Sequence, residues 1–268
     1  MHTENLRRSR RALIDFGGRI GYLSVAPCSR SSTLPFSSMD RDAAKQAAGR
    51  AAAALVHDGM RLGLGTGSTA AYALESIGHR IREDGLDVQG VPTSFEAERL
   101  ARRHDIPLAS LDPDPDLDLA IDGADEVDEA LRLIKGRGGA HTREKIVAAQ
   151  AERFVVVVDP SKLVDRLGEQ APVPVEVLPM AATPVARTLE SLGASPALRT
   201  GTEKDGPVVT DQGLWILDAA FPDGITDPTA VNRTLGMRPG VLDHGLFLEL
   251  ATDVIVGHPD GTVDRHSA

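Results

Sequence analysis

The stretch KGRGGAHTREK, residues 135–145, brings together groups that proton transfer requires. Lys135 supplies an ammonium, three nearby glycines leave the backbone bare, and Glu144 supplies a carboxylate. Glycine is costly inside regular structure, so these glycines indicate a backbone that bends to approach something closely. A base, Glu144, facing a cation, Lys135, across a small substrate would fit this pattern. The alternative is a capping-type Glu144 with a surface Lys135.

A second glycine-rich stretch, GLGTGSTA at residues 63–70, predicts a phosphate cradle. Its glycine turn opens a helix and carries hydroxyls at Thr66, Ser68 and Thr69, and a helix N-terminus binds anions. The spacing matches neither GxGxxG nor GxxxxGK[ST], which disfavours a dinucleotide site or a Walker site. The alternative is a tight strand-to-helix turn capped by Ser68.

An acidic run, residues 112–129, contains nine carboxylates and no basic residue. Such a run is usually a solvated loop, and the DxDxDG calcium pattern is absent. Asp122 and Asp125 stand out because they follow the apolar LDLAI, which puts them at the carboxyl end of a predicted strand. Neighbouring carboxylates there raise one another's pKa and can handle hydroxyl protons.

Three lysines stand out in an acidic body: Lys45, Lys135, and Lys162, which follows a predicted buried strand in VVDPSK. The eight histidines show no ligand spacing, and His141 is predicted to make a local hydrogen bond. With no HExxH motif and no Cys–His pair, we expect no metal site, and the absence of GxSxG disfavours a serine nucleophile.

Strands alternate with helices from residue 40 to about 160, which predicts a parallel sheet with right-handed crossovers. The first helix spans residues 40–56, with Asp40 as its N-cap. FVVVVDPSK is typical of a strand buried on both faces. In such a sheet ligands bind beyond the carboxyl ends of the strands, where the motif loops lie. All four loops are therefore expected at one crevice.

The regular alternation of predicted strands and helices ends after Gly168. PVPVEVLP predicts a strand and ATPVARTLESLG a helix; PALRT, GPVVT and GLWILDA are strand-like, and DPTAVNRTLG is a second helix. This order predicts a small α+β domain of the split βαβ type. The segment TDVIVG is a buried strand that returns to the first sheet. We therefore predict a Rossmann-like α/β domain, residues 39–168 plus 243–268, with a ferredoxin-like domain, residues 169–242, inserted before the final strand.

Composition narrows the possible partners. The net charge of −10 disfavours nucleic-acid binding, which needs a basic face, and no apolar run approaches a bilayer span. The single cysteine, Cys28, excludes an internal disulfide and fits a reducing, cytoplasmic setting.

The first 38 residues differ from the rest of the chain. They carry a net charge of +4, so the other 230 residues carry −14. We interpret residues 1–38 as an N-terminal extension, either disordered or the result of a start codon assigned upstream of Met39. The alternative is an Arg- and Ser-rich transit peptide.

Taken together, GLGTGSTA, AIDGADEVD, LIKGRGGAHTREKI, VVVVDPSK and PVPVEVLP resemble the A-type ribose-5-phosphate isomerase family in order and spacing. TDQGLWILD and PGVLDHGLF extend the resemblance over residues 40–260. It implies interconversion of ribose 5-phosphate and ribulose 5-phosphate through an enediol, without metal or organic cofactor, by a homodimer or homotetramer.

The resemblance also implies residue roles. Glu144 would be the general base, Lys135 would stabilise the enediolate, and Asp122 and Asp125 would contact substrate hydroxyls. The remaining residues implied to bind the substrate and its phosphate are Lys45, Thr66, Gly67, Ser68, Thr69, Gly123, Ala124, Gly136, Arg137, Gly138 and Lys162. Arg137 departs from the small residues expected in this loop, and His141 departs from an apolar one.

Two alternatives have other sequence signatures. A glucosamine-6-phosphate isomerase/deaminase relative would share the GTGST-like loop but needs its own Asp and His signature, which is absent. A sugar-phosphate sensor domain of a repressor would bind phosphate without needing Glu144 and Lys135, and it would follow a helix-turn-helix.

Overall fold

The computed structural model describes residues 38–201 and 205–268. The predictions for the N-terminal extension concern residues 1–38, and all of these except Ser38 lie outside the described residues. Along the chain the elements are α1 (Ser38–Ala53), β1 (Arg61–Leu64), α2 (Ser68–Asp84), β2 (Gln89–Pro92), α3 (Phe95–Arg103), β3 (Leu117–Gly123), β4 (Glu126–Val127), β5 (Leu133–Ile134), α4 (His141–Ala149), β6 (Ala151–Val158), β7 (Val173–Val177), α5 (Ala182–Ser191), β8 (Ser195–Leu198), β9 (Trp215–Ala220), α6 (Pro228–Gly236), β10 (Val241–His244), β11 (Leu246–Phe247), β12 (Asp253–Gly257) and β13 (Val263–Ser267).

The largest sheet has the strand order β13-β12-β6-β3-β1-β2. Its first five strands in sequence, β1, β2, β3, β6 and β12, pair in parallel, as predicted from the alternation of strands and helices. The valines of β6 are buried, which fits a strand covered on both faces. β12 returns to this sheet as predicted. The sequence analysis missed β13, which adds antiparallel at the edge.

The second sheet has the order β10-β7-β9-β8, and every neighbouring pair is antiparallel. With α5 and α6 it has the βαββαβ sequence and strand order of the predicted ferredoxin-like unit. One expected strand is wrong: GPVVT makes only isolated bridges, at Pro207 and Val209. A small third sheet, β11-β5-β4, was not predicted.

Small side chains let the helices pack closely on the parallel sheet. α1 and α2 cover one face, where Ala48, Ala52 and Leu74 join Leu62 and Val155 in one core. Val147 of α4 packs with the core of the opposite face. Asp40 is not the N-cap of α1, since it lies in the first turn of a helix described from Ser38.

The described residues all belong to one compact unit. The division into 39–168 plus 243–268 and 169–242 therefore stays a prediction, although every strand of the ferredoxin-like sheet lies between Val173 and His244. Within the described ranges no helix is long and apolar enough to cross a membrane.

Candidate active site

The carboxyl ends of β1, β3 and β6 open onto a cavity of about 430 Å³. Every residue predicted to bind substrate lines it, together with three of the four predicted catalytic residues. These are Lys45, Thr66, Gly67, Ser68, Thr69, Gly123, Ala124, Asp125, Lys135, Gly136, Arg137, Gly138, Glu144 and Lys162. Asp122 is 2% exposed and is not among the lining residues, but it contacts Lys135, which is.

A buried lysine between two carboxylates forms the centre of the site. Lys135 follows β5, and its Nζ lies 3.1 Å from Asp122 Oδ2 and 3.2 Å from Glu144 Oε2. The same Nζ donates a hydrogen bond to the Gly123 carbonyl oxygen. Lys135 is 2% exposed, so it is not the surface charge that the alternative interpretation required, and Glu144 is 6% exposed.

One cation cannot fully compensate two buried carboxylates, and the pKa values reflect this. The pKa of Glu144 is raised to about 8: burial is the largest cause, Lys135 opposes the rise, and the charges of Asp122 and Asp125 add to it. Burial also raises the pKa of Asp122, against Lys135 and two backbone N–H groups. Burial alone would lower the pKa of Lys135, but Asp122 and Glu144 raise it above its ordinary value. Glu144 is therefore a carboxylate poised to exchange protons near neutral pH.

Asp122 connects this centre to the glycine turn after β1. Its Oδ1 accepts hydrogen bonds from the Thr66 N–H at 3.0 Å and the Gly123 N–H at 2.7 Å. This approach requires glycine at position 65, because a Cβ there would lie 2.4 Å from Asp122 Oδ1 and from the Ile121 carbonyl oxygen. Sequence reasoning quoted Gly65 within the motif without assigning it a role.

The turn presents an uncapped helix N-terminus to the cavity. Gly67, with φ 104°, occupies the N-cap position of α2, Ser68 is the first helical residue, and no side chain in the described part of the protein caps the helix. The alternative in which Ser68 caps the turn is therefore wrong. The Thr66 hydroxyl hydrogen-bonds Thr93 Oγ1 at 2.8 Å and Ser94 Oγ at 2.7 Å, which fixes the shape of the loop.

Asp125 and the glycine loop face each other across the cavity wall. Asp125 Oδ2 accepts a hydrogen bond from the Arg137 N–H at 2.9 Å. Gly136 has φ 102°, and a Cβ there would lie 2.7 Å from His141 and from Pro174. The loop thus needs glycine at 136 both for its conformation and for its packing.

Positive charge gathers at the cavity despite the acidic composition. Lys45 of α1 and Lys162 of the VVDPSK motif line it together, as predicted, and Arg41, one helical turn before Lys45, lines it as well. Sequence reasoning missed Arg41, Asp159 and Ser161. The i, i+4 spacing of Arg41 and Lys45 on a helix would have pointed to the first, and the quoted VVDPSK motif contains the other two.

Two predictions about polar residues need correction. His141 is fully buried, and neither ring nitrogen makes a hydrogen bond of normal geometry within the described part of the chain; burial and the Lys145 charge lower its pKa to about 3. The acidic run is not uniformly solvated, because Glu126 and Asp128 are buried. Glu126 accepts hydrogen bonds from the N–H groups of Gly168, Gln170 and Ala171.

Comparisons with known proteins agree on one family. The family model for ribose 5-phosphate isomerase A (phosphoriboisomerase A) matches residues 89–261. Ribose-5-phosphate isomerase A of Thermosynechococcus vestitus is 55% identical over 214 residues, 80% of this chain and 90% of its own length. The Haloarcula marismortui protein of the same name is 55% identical over 224 residues, covering 84% and 96% of the two chains.

Solved structures give the same result. A D-ribose-5-phosphate isomerase in complex with phospho-erythronic acid has a TM-score of 0.81 and 46% identity, covering 84% of this chain and 97% of its own. Ribose 5-phosphate isomerase A from Methanocaldococcus jannaschii has a TM-score of 0.80 and 47% identity, covering 84% and 98%. The chain therefore belongs to the ribose 5-phosphate isomerase A family, whose members interconvert ribose 5-phosphate and ribulose 5-phosphate.

Proposed function

We propose that this chain interconverts the two pentose phosphates through an enediolate, with Glu144 as the base. In the open-chain aldose Glu144 takes the proton from C2, the electron pair of that C–H bond forms the C1–C2 double bond, and negative charge develops on O1. Glu144 then returns the proton to C1, while the proton on O2 is transferred to O1, so that O1 becomes a hydroxyl and O2 becomes the ketone oxygen. The observation that carries this role is the buried Glu144 carboxylate, 3.2 Å from the Lys135 ammonium in the cavity wall.

Lys135 stabilises the enediolate. An ammonium held in a buried site interacts more strongly with developing charge than it would in water. Its geometry is fixed before substrate binds, because Asp122 and the Gly123 carbonyl oxygen hold its Nζ. Asp122 therefore acts through Lys135 and Thr66 rather than by contacting the sugar.

Asp125 handles the hydroxyl protons. Unlike Asp122 it lines the cavity, and among the described residues only its Oδ2 accepts a hydrogen bond, from the Arg137 N–H. This leaves Oδ1 to accept a hydrogen bond from a sugar hydroxyl and to assist ring opening and O1/O2 proton exchange.

The phosphate binds at the N-terminus of α2. No side chain caps this helix, and Ser68 and Thr69 supply hydroxyls beside its free N–H groups. Lys45, Arg41 and Lys162 supply positive charge to the same cavity. The related isomerase solved with phospho-erythronic acid supports this assignment, because that compound also carries a phosphate and an anionic carboxyl group.

We also propose that the protein works in the cytoplasm as a homodimer or homotetramer. The family and the sugar-phosphate substrate support a metabolic setting. Exposed apolar side chains beside the antiparallel sheet, among them Met180 and Met237, support self-association.

The first experiment is an isomerase assay on ribose 5-phosphate in the presence of EDTA, comparing the wild type with Glu144→Gln. We expect metal-independent turnover in the wild type and a loss of at least about 10²-fold in kcat in the variant, since a positioned base contributes 10²–10⁴-fold. Calorimetric titration with phospho-erythronic acid should show that Glu144→Gln still binds.

Each other outcome has a distinct meaning. Binding without turnover in the wild type would contradict the enzyme assignment and favour a sugar-phosphate sensor. Turnover that survives Glu144→Gln would keep the activity and exclude Glu144 as the base. Turnover that EDTA abolishes would show that a metal takes part.

A further inference from the structure

A buried carboxylate outside the cavity contacts the helix that carries the base. Glu176 lies on β7 and is fully buried. Its Oε2 accepts a short hydrogen bond from the Thr142 hydroxyl, and its Oε1 accepts one from the Thr210 hydroxyl. No lysine, arginine or histidine within the described ranges forms an ion pair with it. Burying an unpaired carboxylate is costly unless hydrogen bonds compensate it, so these two hydroxyls are what holds Glu176 in place.

From these contacts we infer that Glu176, with Thr142 and Thr210, is a positioning group that holds the first turn of α4 and therefore Glu144. This inference rests on the proposed role of Glu144 as the base. Thr142 is the second residue of α4 and Glu144 the fourth, so the two side chains leave the same turn. The N-cap of α4, Ala140, provides no side-chain hydrogen bond to secure that turn. The Thr142–Glu176 bond supplies the missing restraint.

The direction of the hydrogen bonds makes the arrangement specific. The Thr210 oxygen accepts hydrogen bonds from the Leu214 N–H at 3.1 Å and, more weakly, from the Gln212 N–H at 3.3 Å. Its own hydrogen is therefore directed to Glu176. The Thr210 hydroxyl can therefore bond Glu176 only as a donor, to Oε1, while the Thr142 hydroxyl donates to Oε2. Thr210 belongs to the TDQG motif, whose role the proposed mechanism leaves open.

The strand that carries Glu176 is well placed to hold the turn. Side chains alternate along β7: Val173, Val175 and Val177 face the core of the antiparallel sheet, whereas Pro174 and Glu176 face the segment that contains Lys135 and Glu144. β7 is hydrogen-bonded to β9 on one side and β10 on the other, which makes it an interior strand.

Two further contacts run from the same sheet to the same segment. Arg199, directly after β8, donates to the carbonyl oxygens of Gly136 at 3.2 Å and Arg137 at 2.9 Å. Lys145, which follows Glu144, pairs with Asp243 Oδ1 at 2.6 Å and donates to the His244 carbonyl oxygen. The antiparallel sheet therefore contacts the glycine loop before the base, the helical turn of the base, and the residue after it.

The test compares kcat, KM and the pH profile of Thr142→Val, Thr142→Ser and Glu176→Gln. Because misplacing a catalytic group by about 1 Å costs roughly 10²-fold, we expect Thr142→Val to lower kcat by about 10- to 100-fold, with KM within about threefold. Thr142→Ser keeps the donor and should restore kcat to within about threefold. Glu176→Gln keeps an oxygen for Thr210 but places an amide donor at Thr142, so it should resemble Thr142→Val.

The pH profile separates positioning from a loss of folded protein. Burial raises the pKa of Glu144, and a loosened first turn would admit water to it and lower that pKa. The acidic limb of the pH–rate profile should therefore move to lower pH in Thr142→Val. A smaller active fraction would lower kcat without moving the limb.

Hydrogen exchange gives a readout independent of activity: the Glu144 amide, which donates to the Ala140 carbonyl oxygen at 2.9 Å, should exchange faster in Thr142→Val. Thr234→Val is the matched control, since the Thr234 hydroxyl donates to Ala230 within α6.

The inference is overturned if Thr142→Val and Glu176→Gln keep kcat within about twofold of the wild type. It is also overturned if kcat falls in Thr142→Val while the position of the acidic limb and the exchange rate of the Glu144 amide match those of the control Thr234→Val. A wild type that binds but does not turn over ribose 5-phosphate would instead contradict the proposed function. The exchange measurement would still decide whether Glu176 holds the turn.

Discussion

At the scale of single residues, the site depends on one ammonium shared by two buried carboxylates. Asp122 Oδ1 receives two backbone N–H groups, whereas the two oxygens that face Lys135, Asp122 Oδ2 and Glu144 Oε2, receive no hydrogen bond of normal geometry within the described part of the chain. Burial raises the pKa of both carboxyl groups, and the two backbone N–H groups favour the charged form of Asp122. This difference supports the proposed roles of Glu144 as the base and Asp122 as a supporting group.

The pKa of Glu144 predicts the pH dependence of the reaction. A base must be unprotonated to act, so kcat/KM should fall as the pH drops below about 8. The Lys135 charge opposes the rise in this pKa, so Lys135→Met should move the acidic limb to higher pH and also lower kcat. Initial rates across the pH range, with ribose 5-phosphate as substrate, measure both effects.

Lys45→Met is the matched control for this measurement. Lys45 lines the same cavity but is not among the groups that shift the pKa of Glu144, so this variant should raise KM and leave the limb in place. A limb that stayed unmoved in Lys135→Met would exclude Glu144 as the titrating group.

At the scale of elements, the close contact between the ends of β1 and β3 brings the proposed phosphate-binding turn close to Lys135. Gly65 allows this contact, since any side chain there would collide with Asp122 Oδ1 and the Ile121 carbonyl oxygen. Gly65→Ala should therefore displace the Thr66 N–H from Asp122 and lower kcat/KM by at least about 10²-fold, with a lower Tm. Kinetics and thermal unfolding on the same preparation check this expectation.

Gly138→Ala tests whether any added methyl group near the cavity would do the same. A Cβ at Gly138 would meet no atom within 4 Å, and its backbone lies outside the left-handed region. Because Gly138 itself lines the cavity, the comparison is made on stability, and this variant should keep its Tm. Equal losses in both variants would show that the close approach at Gly65 is not the cause.

The elements also show which features of the fold and of the site the sequence could not predict. The motif loops were predictable because glycine turns and strand-end carboxylates report local requirements. β13 was missed because its polar residues, which include Asp264 and His266, lie at a sheet edge and leave no apolar pattern. Glu176 was missed because both of its partners lie 34 residues away along the chain. Likewise, the sequence placed Asp122 near the cavity but could not show that it contacts Lys135 and is not itself among the lining residues.

At the scale of the whole molecule, a group of exposed apolar side chains lies on and beside the antiparallel sheet. Met180 is 90% exposed and Met237 77% exposed, and Leu178 and Leu242 are about half exposed. The Leu178 N–H donates to the Gly240 carbonyl oxygen at 2.9 Å, which brings the two segments side by side. Exposed apolar residues that cluster in this way mark interaction surfaces.

We expect this surface to join copies of the chain. Sedimentation or light scattering should give a mass of two or four times 28.4 kDa, and Met180→Asp with Met237→Asp should lower it. Met39→Asp changes an equally exposed methionine on α1 and should not. A monomer at all accessible concentrations would contradict the predicted oligomer. Because every residue predicted to bind the substrate lines a cavity of one chain, we expect the dissociated variant to keep its turnover, which would assign the second copy to stability rather than to chemistry.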